Sequence, residues 1–148
     1  MTLVIFLDAE PLGLLSHPDK NVPITNWAVA RLEHGDSIVI PAIIDYELRR
    51  ELIRAGKLRG RVILNSLQAI FQFLSVSDEA FRTASEFWAT SRRHGRPTAP
   101  QDDIDIDMIL AAQAVEFART DEREVIVATS NVRLLGLFVP AARWQDII

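Results

Sequence analysis

The chain has 148 residues, 49% of them apolar, which is the size and apolar content of one ordinary domain that fills its own core. It contains no cysteine, so disulfides, thiolate metal sites and cysteine nucleophiles are excluded, and any metal must be held by oxygen or by histidine. A formal charge of -4 gives no global basic footprint for gripping duplex DNA, so a nucleic-acid substrate needs local basic residues or a metal bridge to the acids.

The first element is the apolar run Leu3-Val-Ile-Phe-Leu7, which ends at Asp8. A short continuous run of this kind is a strand buried on both faces, and such strands belong to parallel sheets covered by helices. A short helix is expected to begin near Pro11, and Ile24 to His34 reads as an amphipathic helix that Gly35 stops. Ser37-Ile-Val-Ile40 is a second strand; Pro41 suits the first turn of a helix running to about Ala55, and Gly56 ends it. Leu58 to Phe71 and Asp78 to Arg93 read as two helices, paired as a helical arm, with Ser77 as N-cap of the second and a weak strand at Phe73 to Val76 between them. The stretch from His94 to Pro100 carries two prolines and a glycine and must be a loop, although not a domain boundary. Asp103 to Arg119 is helical and apolar almost all round after Asp107, as a deeply buried helix is. Val125-Ile-Val-Ala128 is another buried strand, and Arg143 to Ile147 a weaker candidate.

Strands alternating with helices predict a single α/β domain over residues 1–148, a three-layer α/β/α sandwich with a mostly parallel central sheet. In such sheets ligands bind at the carboxyl ends of the strands. No apolar run approaches the roughly 20 residues of a membrane span, and Met1 to Asp8 lacks the features of a signal peptide, so a cytoplasmic protein is expected.

Three groups of acids matter. Asp8 follows the first strand directly, which is a functional address; capping of the next helix is the other use of an aspartate there. Glu47 borders the buried face of the helix after the second strand, set by Ile43, Ile44, Leu48 and Leu52, and its alternative is a surface salt bridge. Asp102, Asp103, Asp105 and Asp107 crowd the start of the buried helix, and such charges repel unless solvent or a cation intervenes. Asp107 lies nearest the apolar part of that helix, where solvation explains it poorly. Asp105 points away from the face shared by Asp103 and Asp107, and a helix start accounts for both Asp103 and Asp105. After the strand 125–128 come Thr129 and Asn131, which are ligand-binding residue types but also ordinary turn formers.

Acids after strand one, in the helix after strand two and at the start of a buried helix can converge on one pocket. Oxygen donors of this kind suit Mg2+ or Mn2+ rather than zinc. Competing chemistries are thin: His17, His34 and His94 lack a shared spacing and read as surface residues, and there is no G-x-S-x-G, Walker A or G-x-G-x-x-G pattern.

The ordered set of an apolar strand ending in Asp8, an acid in Tyr46-Glu-Leu-Arg-Arg50, Asp107 in Asp-Met-Ile-Leu-Ala-Ala-Gln-Ala114, and Thr129-Ser-Asn131 after a strand resembles the PIN domain, and within it the VapC-like toxins. The likeness covers nearly the whole chain. It implies a metal-dependent endoribonuclease acting on single-stranded or structured RNA, with Asp8, Glu47 and Asp107 as the metal-binding acids. Asn131 matches the position where many relatives carry a fourth acid or its amide, and being neutral it weakens the case for a second metal. The resemblance further implies a homodimer, and a cognate antitoxin as partner. Arg49, Arg50 and Arg133 are candidate phosphate contacts, against a reading as solvated surface arginines. The rival class is a non-catalytic metal-binding or regulatory module on the same scaffold.

Overall fold

The computed structural model describes residues 1–93 and 101–148, with side chains described outside 94–104. The expected loop at 94–100, His94 and the side chain of Asp103 therefore lie outside the described residues.

Five parallel strands form one sheet in the order β3-β2-β1-β4-β5. β1 (Leu3–Leu7) is central, between β2 (Ser37–Pro41) and β4 (Glu124–Ala128). Val4, Ile5, Phe6 and Leu7 are fully buried, as a strand covered on both faces must be. Each such side chain contributes about 1.5–3 kcal/mol of hydrophobic stabilisation. β3 (Gln72–Leu74) and β5 (Ala141–Ala142) are short edges, which limits the open ladder they offer to other chains. The strand expected at Arg143 to Ile147 is a correction. The ladder is made two residues earlier, and Trp144–Asp146 form a 3-10 turn.

Helices α1 (Ala9–Ser16) and α2 (Val22–His34) connect β1 to β2; α3 (Ala42–Arg54) and α4 (Leu58–Ile70) connect β2 to β3. α5 (Asp78–Arg93) and α6 (Gln101–Ala118) cross back to β4, and α7 (Val132–Leu135) leads to β5. Right-handed crossovers in opposite directions from β1 place α1 to α4 on one face and α5 to α7 on the other, giving the expected three layers. The boundaries follow local chemistry. Gly35, at φ +102°, ends α2 in the left-handed conformation that glycine tolerates best. The Ser77 hydroxyl accepts from the Ala80 N–H at 3.0 Å and starts α5. Pro41 closes β2 and precedes α3 instead of entering it.

The expected pairing of α4 with α5 is corrected: α4 packs on α1 and α3, while α5 lies along α6. α6 is buried as expected, with Met108, Leu110, Ala111, Ala112 and Ala114 inaccessible or nearly so. Its buried Gln113 donates from Nε2 to the carbonyls of Leu74 and Ser75, at 3.0 and 3.2 Å, tying the helix to the end of β3. Among the described residues no helix is long and apolar enough to cross a membrane.

Candidate active site

The direction of successive crossovers reverses between β1 and β4, the position where an open α/β sheet leaves a crevice at its carboxyl edge. Register puts specific residues there. Leu7 pairs with Ala128, and Ala128 with Ala142. The Asp8 N–H continues the ladder to the Ala128 carbonyl at 3.0 Å, and the Thr129 N–H to the Ala142 carbonyl at 2.9 Å. Asp8, Thr129 and Arg143, each the first residue beyond its strand, therefore stand side by side.

Asp8 caps the next helix, one of its two readings, and the same carboxylate also reaches β4. One carboxylate oxygen accepts from the Ala9 N–H at 2.7 Å and caps α1; the other accepts from the Thr129 hydroxyl, also at 2.7 Å. The residue is only 8% exposed. Burial pushes its carboxyl above the usual range, while the Thr129 and Ala9 hydrogen bonds pull it back. Thr129 is fully buried and its hydroxyl accepts in turn from the Asn131 N–H at 2.9 Å. The Asn131 side-chain amide then donates a long 3.5 Å contact to Asp107 Oδ2. A continuous chain thus runs from Asp8 through Thr129 and Asn131 to Asp107.

Asp107 is half-buried in the second turn of α6, and Asp105 is exposed. Asp105 lines a groove of about 320 Å³ between α5 and α6 with Phe81, Trp88 and Met108, so it points away from Asp107 as the helical spacing predicts. Glu47 is half-buried on α3, a little over one turn past the end of β2. α3 packs against α1 on one side and α6 on the other. Glu47 is thus on a helix that touches α6, the helix of Asp107, whereas the other members are linked by hydrogen bonds.

Two features escaped the sequence reading. The buried acid of α3 is Asp45, which receives Arg49 Nε and Nη2 at 2.9 and 3.1 Å and Gln68 Nε2 at 2.7 Å. Arg49 also donates to Asn65 Oδ1 at 2.8 Å. It is consequently a strut between α3 and α4, and its candidacy as a phosphate contact is withdrawn. The i,i+4 spacing of Asp45 and Arg49 was the available signal. Arg50 lies over the Tyr46 ring at 5.1 Å, and Arg133 is exposed at the start of α7. The second feature is Glu10 in the first turn of α1. Partial burial raises its pKa, Arg143 lowers it, Asp8 raises it and Trp144 lowers it. Glu10 and Arg143 therefore share the neighbourhood of Asp8. No spacing rule could have joined residues so far apart in the chain.

Among the described residues no three acids or histidines are close enough to hold a metal together. The donors still suit a hard divalent ion. Mg2+ retains several waters and needs only one or two carboxylates, and Asp8 and Asp107 share this edge, Asp8 with a desolvated charge that a cation would relieve.

No family model and no curated protein sequence matches the chain. Solved structures do. The FitAcB structure from Neisseria gonorrhoeae superposes with a TM-score of 0.70 at 18% identity, covering 96% of this chain and 99% of that one. VapBC2 from Rickettsia felis, bound to a DNA fragment from its promoter, gives 0.68 at 15% identity over 95% and 98%. VapC20 from Mycobacterium tuberculosis, a sarcin-ricin loop cleaving toxin, gives 0.64 at 12% identity over 94% and 98%. The chain has the VapC-type PIN fold. In this PIN fold the linked residues Asp8, Thr129, Asn131 and Asp107 occupy the crevice at the β1/β4 reversal.

Proposed function

We propose that this chain is a metal-dependent endoribonuclease of the toxin type, cleaving single-stranded or structured RNA in the cytoplasm. The observation that carries the reading is the hydrogen-bonded chain from Asp8 through Thr129 and Asn131 to Asp107 at the β1/β4 crevice. Asp8 and Asp107 would hold Mg2+ or Mn2+ directly, and Glu47, the third acid of the proposed metal set, would reach the ion through one of the waters it retains. When bound, the ion supplies Lewis-acid polarisation of a phosphate and a more acidic water.

The protein's own part is positioning and charge. Burial makes the Asp8 carboxylate costly, so it gains most from a cation, and the Ala9 N–H and Thr129 hydroxyl, one on each oxygen, fix its orientation. Asn131 presents its N–H to Thr129 and its amide to Asp107, so one residue orients both acids. Glu47, on α3, would contribute its carboxylate through a metal-bound water. Asn131 itself carries no charge, which favours one tightly held ion over two.

A small antitoxin encoded alongside is the proposed partner, and a homodimer the proposed assembly. The VapBC2 and FitAcB neighbours support the partner, and an acidic crevice supplies an electrostatic basis for inhibition by a partner's arginine. The second reading is a non-catalytic metal-binding or regulatory module, and the lack of three close acids among the described residues favours its regulatory form.

Cleavage of a mixed RNA pool by purified protein, with Mg2+ or Mn2+ against EDTA and with Asp107→Ala prepared identically, separates the two. Metal-dependent cutting lost in the variant supports the nuclease. Folded, partner-free protein that cuts nothing under any metal points to the regulatory module.

A further inference from the structure

The proposed chemistry leaves one requirement unmet: a chain with net charge -4, presenting acids at its crevice, needs a cation that faces the RNA backbone. Arg49 is consumed by Asp45 and Asn65, and Arg50 lies over Tyr46. The arginine whose backbone the sheet itself delivers to the crevice is Arg143.

Its placement follows from register. Arg143 follows β5 directly, next to Thr129, whose N–H bonds the Ala142 carbonyl and whose hydroxyl bonds Asp8. The segment is held from the other side by a tryptophan clasp. Trp27 Nε1 donates to the Ile147 carbonyl at 2.8 Å, the Trp27 and Trp144 rings lie 5.8 Å apart, and Ile147 is buried. Arg143 is thus pinned by a ladder bond before it and an aromatic contact after it, while its own side chain is exposed. Arg143 thus stands one strand spacing from Thr129, whose hydroxyl reaches the site acid Asp8.

We propose that Arg143 is a substrate-binding residue, donating to a non-bridging oxygen of an RNA phosphate beside the crevice. A planar guanidinium suits this task, since it gives two parallel donors to one phosphate and stays charged at any working pH. The rigid backbone lowers the ordering cost of that contact. Arg143 would set the register of the strand relative to the acids without touching the reacting atoms.

The inference rests on the ribonuclease reading, and the test keeps the two apart. Cleavage kinetics of wild type, Arg143→Gln and Arg143→Lys are measured on one fluorescein-labelled single-stranded RNA. The dissociation constant is measured against salt, with Ca2+ replacing Mg2+. Arg119→Gln, an exposed arginine before β4 at the opposite edge of the sheet, is the control. The expected result is that Arg143→Gln raises KM and Kd about tenfold with kcat unchanged and thermal stability retained. The slope of log K against log salt becomes shallower by about 0.7, the loss of one phosphate contact on a single strand. Arg143→Lys keeps the slope, and Arg119→Gln changes nothing. If wild type cleaves and Arg143→Gln shows the same KM, Kd and slope, the proposal fails and the nuclease reading stands. A wild-type protein that neither binds nor cleaves RNA brings down both.

Discussion

The Thr129 hydroxyl donates to Asp8 across the boundary between β1 and β4, from a fully buried position, at 2.7 Å. Because it accepts from the Asn131 N–H as well, neither of its roles can be taken over by solvent. Thr129→Val removes the hydrogen bond that holds the Asp8 pKa down, so the carboxyl is pushed further up. The acid limb of the pH–rate profile should therefore move to higher pH, with about a tenfold loss of kcat/KM on that limb for every 1.4 kcal/mol removed. Thr129→Ser should restore the profile. A limb that stays in place in Thr129→Val would separate Asp8 from the titration that governs cleavage.

Asp8 should be a stability liability as well as a functional acid. Its pKa is raised in the folded state, so the native protein binds more protons than the unfolded chain between the ordinary 3.8 and the raised value. Stability then falls as pH rises through that window, and the deficit persists at neutral pH. Asp8→Asn should raise the midpoint of thermal unfolding in EDTA by about 2–4 °C, the shift that 1 kcal/mol produces in a domain of this size. The same variant should lose cleavage and lose stabilisation by Mg2+. Calorimetry with and without the ion checks both, and a lower midpoint in EDTA would contradict the buried-charge account.

Asp36 works with the opposite sign. Burial pushes its carboxyl up, but the Leu3 N–H, His34 and Arg31 outweigh that and hold it below 3.8. Arg31 Nε stands at 2.7 Å and the Leu3 N–H at 2.8 Å, so the acid ties the end of α2 to the first residue of β1. The unfolded chain binds more protons below pH 3.8, so this contribution is complete above that pH and is lost as pH falls toward the folded value. Asp36→Asn leaves a buried arginine without its partner charge and should cost about 3 kcal/mol. Urea unfolding at neutral pH measures it, and the variant should show less destabilisation than wild type on acidification.

Arg49 and Arg143 should part company in the same pair of assays. Arg49→Met breaks the Asp45, Asn65 and Gln68 cluster that joins α3 to α4, and leaves the buried Asp45 short of donors. It should lower stability by about 1–3 kcal/mol with little change in the salt dependence of RNA binding. Arg143→Gln should do the reverse. A salt slope altered by Arg49→Met would return that residue to the list of phosphate contacts.

What the sequence disclosed depended on whether the signal was local. The runs at Leu3 to Leu7, Ser37 to Ile40 and Val125 to Ala128 announced buried parallel strands, because continuous apolar segments have few other places to go. Helix limits at Gly35, Gly56 and Ser77 were equally legible from capping chemistry. The strand at Arg143 to Ile147 was misplaced because β5 is only two alanines long, and the following aromatic residues serve the clasp with Trp27. The supposed pairing of α4 with α5 failed for a topological reason: polar outer faces do not say which neighbour covers the inner one. At the site, Asp8 and Asp107 were visible as acids abutting apolar segments. The link between Thr129 and Asp8 spans 121 residues and is set by strand order, which composition and spacing do not encode. Glu10 and Arg143 stayed hidden for the same reason.

The place of β4 and β5 after the other three strands in the element order has a consequence for how the fold is assembled. Thr129, Asn131 and Arg143 leave the ribosome well after Asp8, Thr129 by 121 residues. A nascent chain complete through α5 has its first acid but neither the hydroxyl that orients it nor the amide that reaches Asp107. The central strand β1 meanwhile has one side unpaired until β4 arrives. Assembly of the crevice therefore waits until β4 and β5 have been made and have joined the sheet.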